Sequence, residues 1–295
     1  MRKVVIFAPT GMVGSMVYNT LKNKYRIILV YKNTQHLQIL NKKYSISPSD
    51  IKIKFDINSV FTDYLNGFAY SFPSPKMEVL VKKIGKVDAV INCAGIIKPY
   101  SMINPNSTVF INGIFPHILS NVYKEKLIHI TTDCVFNGEK DAPYDERSPK
   151  SPNDLYGLSK SIGEPSDKSL VLRTSVIGPE LYGFQSLLEW FMSQSGNVFG
   201  FTNHKWNGIT TKEFALICDT IISNRDKFPK NGLYNIFTNS VSKYEMLCKF
   251  KEKYHTSVII IPKKSKKPVD RRLCTIYSIN KKLKIPTFNE MINQL

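Results

Sequence analysis

Two side chains in the stretch "DLYGLSK" are spaced for proton chemistry. Tyr156 and Lys160 stand four residues apart, so on a helix the phenol and the ammonium share one face. A free phenol has a pKa of about 10, too high for efficient proton transfer near neutrality. An ammonium one turn away favours the phenolate and lowers that value. The same spacing also suits packing or a solvated surface pair. A third group lies upstream, where the apolar run "LIHITTDCVF" ends: Thr132 could hold a carbonyl oxygen beside Tyr156. Groups of this kind collect at the C-terminal ends of parallel strands.

The elements that must position them follow from the apolar pattern. "KVVIFAP", "YRIILVYK", "IKIKFDI", "VDAVINCAG", "LIHITTDCVF" and "LVLRTSVIG" read as six strands. Between and after them, "TGMVGSMVYNTLKNK" and "LYGLSKSIGE" have helical spacing, and "NSTVFINGIFPHILSNVYKE" reads as a helix bent at its proline. Alternating strands and helices predict an α/β fold, a Rossmann-like, doubly wound parallel sheet. Past Gly178 the alternation loosens. "FQSLLEWFMSQ", "TTKEFALICDTIIS" and "SVSKYEMLCKFKEKY" read as helices and "GLYNIF" as a strand. The expected division is residues 1–172 as the nucleotide-binding domain and 173–295 as a smaller C-terminal substrate lobe, with some elements returning to the sheet.

The first strand runs into "APTGMVG". Gly11 and Gly14 sit where the strand turns into a helix, and the turn presents Thr10, Gly11, Met12 and Val13 at the helix head, a place suited to a pyrophosphate. The first glycine of a GxxGxxG pattern is Ala8 here. At the end of the second strand stands Lys32, where an acidic residue would select NADH, and a lysine can pair with a 2'-phosphate. NADPH is therefore the expected dinucleotide, although a solvated lysine fits the same position. Asp56, after the third strand, is a candidate for the adenine edge.

The chain has 295 residues and a formal charge of +18. No apolar run is long enough for a bilayer and no cleavage pattern follows the N-terminus, so a soluble cytoplasmic protein without a membrane partner is expected. The five cysteines and five histidines are scattered, which argues against a disulfide framework and a metal site. The densest basic run, "PKKSKKPVDRR", has no interleaved aromatics, so a nucleic-acid partner is not expected.

Taken together, "PTGMVGSMV", "VDAVINCAG", "FINGIFPHIL", "ITTDCVFNGEKDAPYDERSPKSPNDLYGLSKSIGE", "LVLRTSVIGP", "GLYNIF" and "KPVDRRL" resemble an extended short-chain dehydrogenase/reductase, and within it the dTDP-4-dehydrorhamnose reductase (RmlD-like) family. The resemblance runs over nearly the whole chain. It implies a triad of Thr132, Tyr156 and Lys160, a nicotinamide dinucleotide, and a nucleoside-diphosphate 4-keto-6-deoxy sugar of the rhamnose or N-acetylrhamnosamine type. It implies that Asn92, Cys93, Ala94 and Gly95 line the adenine side, that Asn112 orders water near the lysine, and that Tyr156 and Lys160 also contact the cofactor. Arg173, Arg271 and Arg272 are candidates for the diphosphates, with a structural salt bridge as the other reading. Simple reductases of the family usually have Tyr after "TTD"; this chain has Cys134. In bifunctional members a Cys there serves epimerisation beside the ketone, and a thiol of pKa about 8.5 suits that exchange. The lysine that accompanies it in those members has no match, its place falling near Leu187. Some members are non-catalytic regulatory subunits that bind the dinucleotide, which is the alternative reading, and a homodimer is compatible with the family.

Overall fold

The alternation of apolar strands and helices resolves into one parallel sheet at the centre of a computed structural model, which describes residues 1–65 and 73–295. Its strands are β1 (Lys3–Phe7), β2 (Arg26–Tyr31), β3 (Ile51–Lys54), β4 (Ala89–Asn92), β5 (Leu127–Thr131), β6 (Leu170–Arg173) and a seventh, Gly232–Asn235. The order across the sheet is Gly232–Asn235, β6, β5, β4, β1, β2, β3, and every neighbouring pair is parallel. This is a Rossmann-like, doubly wound sheet. The order reverses between β1 and β4, and a crevice opens at that point beyond the C-terminal strand ends.

Strands buried on both faces need apolar residues at every position. In β1, Val4 and Ile6 enter one core with Val17, Leu21, Phe214 and Ile221, while Val5 and Phe7 enter the other with Met77, Leu80, Phe115 and Leu119. The period of two along the strand thus serves both layers.

Two readings of the chain change. "LVLRTSVIG" divides: β6 ends at Arg173, and Val176–Ile177 pairs with Ile209–Thr210 in a separate two-stranded sheet. The Ser175 carbonyl accepts Ile209 N–H at 2.8 Å, and a Cβ on Gly208 would stand 2.1 Å from that oxygen, so the chain is captured by the second element. The proline-bent helix is three pieces, Pro105–Val109, a π-helical turn Phe110–Ile114, and Phe115–Tyr123. Pro116 has no N–H for the Asn112 carbonyl, and the wider turn accommodates the loss.

In the C-terminal half, Gly232–Asn235 extends the sheet beside β6, and helix Thr211–Ser223 packs on helix Met12–Leu21. A third core, including Leu188, Phe191, Val198, Leu247, Phe250 and Phe288, joins helices Leu187–Met192 and Lys243–Tyr254 to the strand pair Asn197–Phe201 and Ile259–Lys263. Helix Lys243–Tyr254 starts on a reciprocal cap between Ser242 and Glu245.

The approach of helix Met12–Leu21 to β1 depends on a missing side chain. A Cβ on Gly14 would lie 2.1 Å from the Ala8 carbonyl oxygen, whereas one on Gly11 would lie 3.6 Å away. Gly14→Ala should therefore lower the unfolding free energy by about 1–3 kcal/mol, the range for forced overpacking. Gly11→Ala should cost about 1 kcal/mol or less, the loss of a favoured cap residue without a packing clash. Urea titrations of the two variants measure the difference.

Candidate active site

The crevice begins at the head of helix Met12–Leu21. Ala8 holds a left-handed φ of 54°, and its carbonyl accepts Gly11 N–H at 3.2 Å. Alanine in that conformation costs on the order of 1 kcal/mol, so the turn is kept despite the missing glycine. The first N–H groups of the helix have no partner within it. Thr10, Gly11, Met12 and Val13 line the near end of a cleft of about 1070 Å³. Cys93, Gly95, Ile96 and Ile97, beyond the end of β4, form its opposite wall.

Helix Leu155–Ile162 crosses the middle. Asp154 caps it, accepting Gly157 N–H at 2.7 Å and pairing with Lys98 at 2.7 Å. A Cβ on Gly157 would be 2.2 Å from the Cys134 carbonyl oxygen, so the helix rests directly on the turn after β5. That contact brings Tyr156 beside Thr132, Asp133 and Cys134. The Thr132 hydroxyl accepts Cys134 N–H at 3.2 Å and donates to Asp133 at 3.2 Å.

Burial governs the acids here. It raises the Tyr156 pKa, with the neighbouring Cys134 and Asp133 adding to the rise and a hydrogen bond from Thr132 opposing it. The Cys134 thiol is pushed up to about 12, chiefly by burial and next by Asp133, with Arg271 pulling it down. Lys160 is lowered to about 8 by burial, against the pull of Cys93 and Glu164. Lys160 is not among the groups that act most on the Tyr156 phenol. The ammonium is turned to Gly95, whose Cβ would lie 2.9 Å from Nζ, and to Cys93. Desolvation outweighs any charge effect on the phenol, which stays protonated and suits a proton donor.

Other expected site residues fall less evenly. Asn112 is buried and fully engaged: Oδ1 accepts Ile96 N–H at 2.8 Å, and Nδ2 donates to Ile96 O at 2.9 Å and Ser159 Oγ at 3.1 Å. Asn92 faces His129 at 3.1 Å and accepts Ala94 N–H at 3.1 Å, so neither Asn92 nor Ala94 is on the cleft wall. Lys32 and Asp56 lie outside that wall too and pair with each other at 3.0 Å on the exposed surface. Arg173 is a correction: it is fully buried, held by Glu164 at 2.8 and 3.0 Å, by Asn235 at 3.3 Å, and over the Phe136 ring. It cannot reach a diphosphate. Arg272 is likewise committed to Asp270. Arg271 does reach the cleft, with Nη1 at 3.9 Å from Cys134 Sγ.

The cleft wall also includes Lys205, Trp206 and Lys243, and Tyr182, whose ring stacks on His36 at 3.7 Å in the helix after β2. None was singled out in the sequence. They come from a loop, from the three-residue strand His204–Trp206 and from the first turn of a helix, and no shared spacing marks them.

The sheet order, the glycine turn at its switch point and the Tyr-x-x-x-Lys helix against a Thr-ended strand define an extended short-chain dehydrogenase/reductase fold. Within it, the chain belongs to the RmlD substrate-binding domain family, whose profile matches residues 74–272. A segment is 36% identical over 104 residues, 31% of this chain and 33% of the other, to Agl14 of Haloferax volcanii, described as a probable low-salt glycan biosynthesis reductase. Another is 32% identical over 142 residues, 44% of this chain and 45% of the other, to dTDP-4-dehydrorhamnose reductase of Shigella flexneri. The chain thus spans less than half the length of these two curated relatives. In fold it is similar to dTDP-4-dehydrorhamnose reductase of Bacillus anthracis solved with NADP, with a TM-score of 0.72 and 17% identity over 99% of this chain and 98% of that one.

The placement of Arg173 makes a prediction. Arg173→Met leaves Glu164 with Lys150 alone and should lower stability by about 3–5 kcal/mol, the range for breaking a buried pair. NADPH binding by the folded variant should not move. Denaturant titration and NADPH titration on the same preparation check both halves.

Proposed function

We propose that the protein uses NADPH to reduce the 4-keto group of a nucleoside-diphosphate-linked 4-keto-6-deoxy sugar, of the rhamnose or N-acetylrhamnosamine type, after epimerising the carbon beside the ketone through Cys134. One observation carries this reading. Tyr156 and Cys134 meet in a single cleft, beside Thr132, with an anion-seeking helix head, lysines and Trp206 on its wall. The names of the Shigella and Bacillus proteins support it.

The near end fits a dinucleotide. Gly11 caps the helix without a side chain that would fill the anion site, and Gly95 leaves the space in which Lys160 Nζ sits. Thr10 to Val13 would hold the diphosphate, and Lys160 the nicotinamide ribose. Lys32 would meet the 2'-phosphate by exchanging a weak surface pair with Asp56. Bound there, the reduced nicotinamide supplies hydride. Away from the helix head, Lys205 and Lys243 would hold the sugar diphosphate, with Trp206 beside the base.

Thr132 and Tyr156 hydrogen-bond the keto oxygen. Tyr156, kept protonated by burial, gives up its proton as that oxygen gains charge. In the earlier step the Cys134 thiolate takes the proton from the carbon beside the ketone, and the electron pair moves onto the same oxygen. A solvent proton delivered to the opposite face inverts the centre.

Tyr156→Phe should fold and bind NADPH yet lose about 100- to 10,000-fold in kcat. Product NMR with UDP- and dTDP-linked 4-keto-6-deoxy sugars, run in deuterated water, tests both steps. The wild type should carry deuterium at the ring carbon beside C4, and Cys134→Ser should not. A regulatory subunit would bind NADPH and never oxidise it.

Lys160 also sets a pH dependence. Its ammonium is the form that donates to the ribose, and it is lost above about pH 8. NADPH affinity should fall by up to about tenfold per pH unit above that value, following the protonated fraction. In Lys160→Met the affinity should be weak and flat across the same range, as fluorescence titration would show.

A further inference from the structure

The turn after β5 presents Cys134 to the cleft, and one cation faces its sulfur. Arg271 Nη1 lies 3.9 Å from Sγ. The arginine is aimed by its own contacts: Nε donates to the Phe136 carbonyl at 2.9 Å, and its stem crosses Gly138, where a Cβ would stand 2.7 Å from Arg271 Cγ. Gly138 holds a φ of 79°, so the turn is shaped to let the arginine lie across it. Among the described residues Arg271 has no carboxylate within ion-pair distance, unlike its neighbour Arg272. The guanidinium is therefore available to the sulfur.

The geometry points to Arg271 as the positioning residue for Cys134: it fixes Sγ in the cleft and stabilises the thiolate, in the place where bifunctional relatives are expected to use a lysine. The inference rests on the proposed role of Cys134 as proton carrier. Leu187 itself contributes a side chain without charge. Arg271 reaches the thiol instead from the C-terminal "KPVDRRL" segment.

The electrostatics agree with the contact. The groups facing the thiol are Asp133 and Asp154, which oppose its ionisation, the Thr132 hydroxyl, and Arg271, which favours it. The Tyr156 phenol is adjacent and protonated. Lys98 is bound to Asp154. Arg271 is thus the cation that acts on the sulfur. Without it, a buried thiolate would stand beside a buried carboxylate, and the proton-abstracting form would be rare at any pH the fold tolerates. An arginine retains its charge over that whole range.

The test measures two rates on one substrate. Wild type, Arg271→Met, Arg271→Lys and Cys134→Ser are incubated with the unepimerised keto sugar and NADPH in deuterated water. Ring deuteration and NADPH oxidation of an already epimerised keto sugar are followed from pH 6.5 to 9.5. For Arg271→Met, deuteration should drop at least tenfold more than reduction does, with its ascending limb displaced to higher pH, and Arg271→Lys should restore most of it. A second arm needs no substrate: iodoacetamide labelling of the Cys134 peptide, resolved by mass spectrometry, should show its pH profile displaced upward in Arg271→Met. A diphosphate clamp would instead raise KM in both reactions and leave the labelling profile in place, which overturns the inference. Deuteration that survives Cys134→Ser also overturns it, by removing the premise about Cys134. Circular dichroism verifies that each variant is folded, and Arg271→Gln, polar but uncharged, carries the test should Arg271→Met unfold.

Discussion

The amide of Asn112 is the interaction on which the site most depends. Its oxygen and nitrogen clamp both backbone groups of Ile96 and the Ser159 hydroxyl, so one side chain joins the loop after β4 to helix Leu155–Ile162. It can do so because it sits in a π-helical turn, which projects one residue farther out of register than an α-helix would. The turn in turn needs Pro116, which leaves the Asn112 carbonyl without a helical donor. Gly163, at the end of the Tyr-Lys helix, lies so close that a Cβ would be 1.9 Å from that carbonyl oxygen. Sequence features forty to fifty residues apart thus determine where Lys160 stands relative to Gly95 beside the cleft.

Desolvation of the ionisable groups follows from this packing, and their proton affinities follow from desolvation. Lys160 loses affinity for its proton while Cys93, Cys134 and Tyr156 hold theirs, all by burial before any charge effect. For Lys160 the change from 10.5 to about 8 corresponds to roughly 3 kcal/mol of disfavoured charge. Charge that appears during reaction is then weakly screened, so a single well-placed dipole or cation acts strongly. Such a site keeps its acids protonated until a specific partner draws the proton out. Thr132 lowers the proton affinity of Tyr156, and Arg271 that of Cys134, each against the larger effect of burial.

Much of this was legible because it is written in contiguous stretches. A doubly buried strand needs an unbroken apolar run, so β1, β2, β4 and β5 could be read directly, and helix Leu155–Ile162 follows from its spacing. Thr132, Cys134 and Tyr156 could be grouped because strand ends in a parallel sheet converge. What depends on tertiary contact could not be read. Arg173 and Arg271 are equally plausible as ligands in the sequence, yet Glu164 captures one and the cleft exposes the other. Lys32 and Asp56 looked like separate contacts and are partners of each other. Lys205 and Trp206 lie on a strand too short for any periodicity, and Lys243 opens a helix whose pattern shows only its buried face.

The surplus of positive charge also becomes intelligible from where its pairs fall. Lys24, Lys32, Lys76, Lys98 and Lys150 each stand against a carboxylate. Lys205, Lys243 and Arg271 line the cleft, and among the described residues they have no such partner. Burial lowers the Lys243 pKa, so this cation is held at some cost. Like charges drawn into one concavity raise the potential there well above that of the general surface. A composition that reads as uniformly basic is therefore uneven in space. Nine cations are paired among the described residues, most of the others are spread over the surface, and Lys205, Lys243 and Arg271 face the same opening as Tyr156 and Cys134.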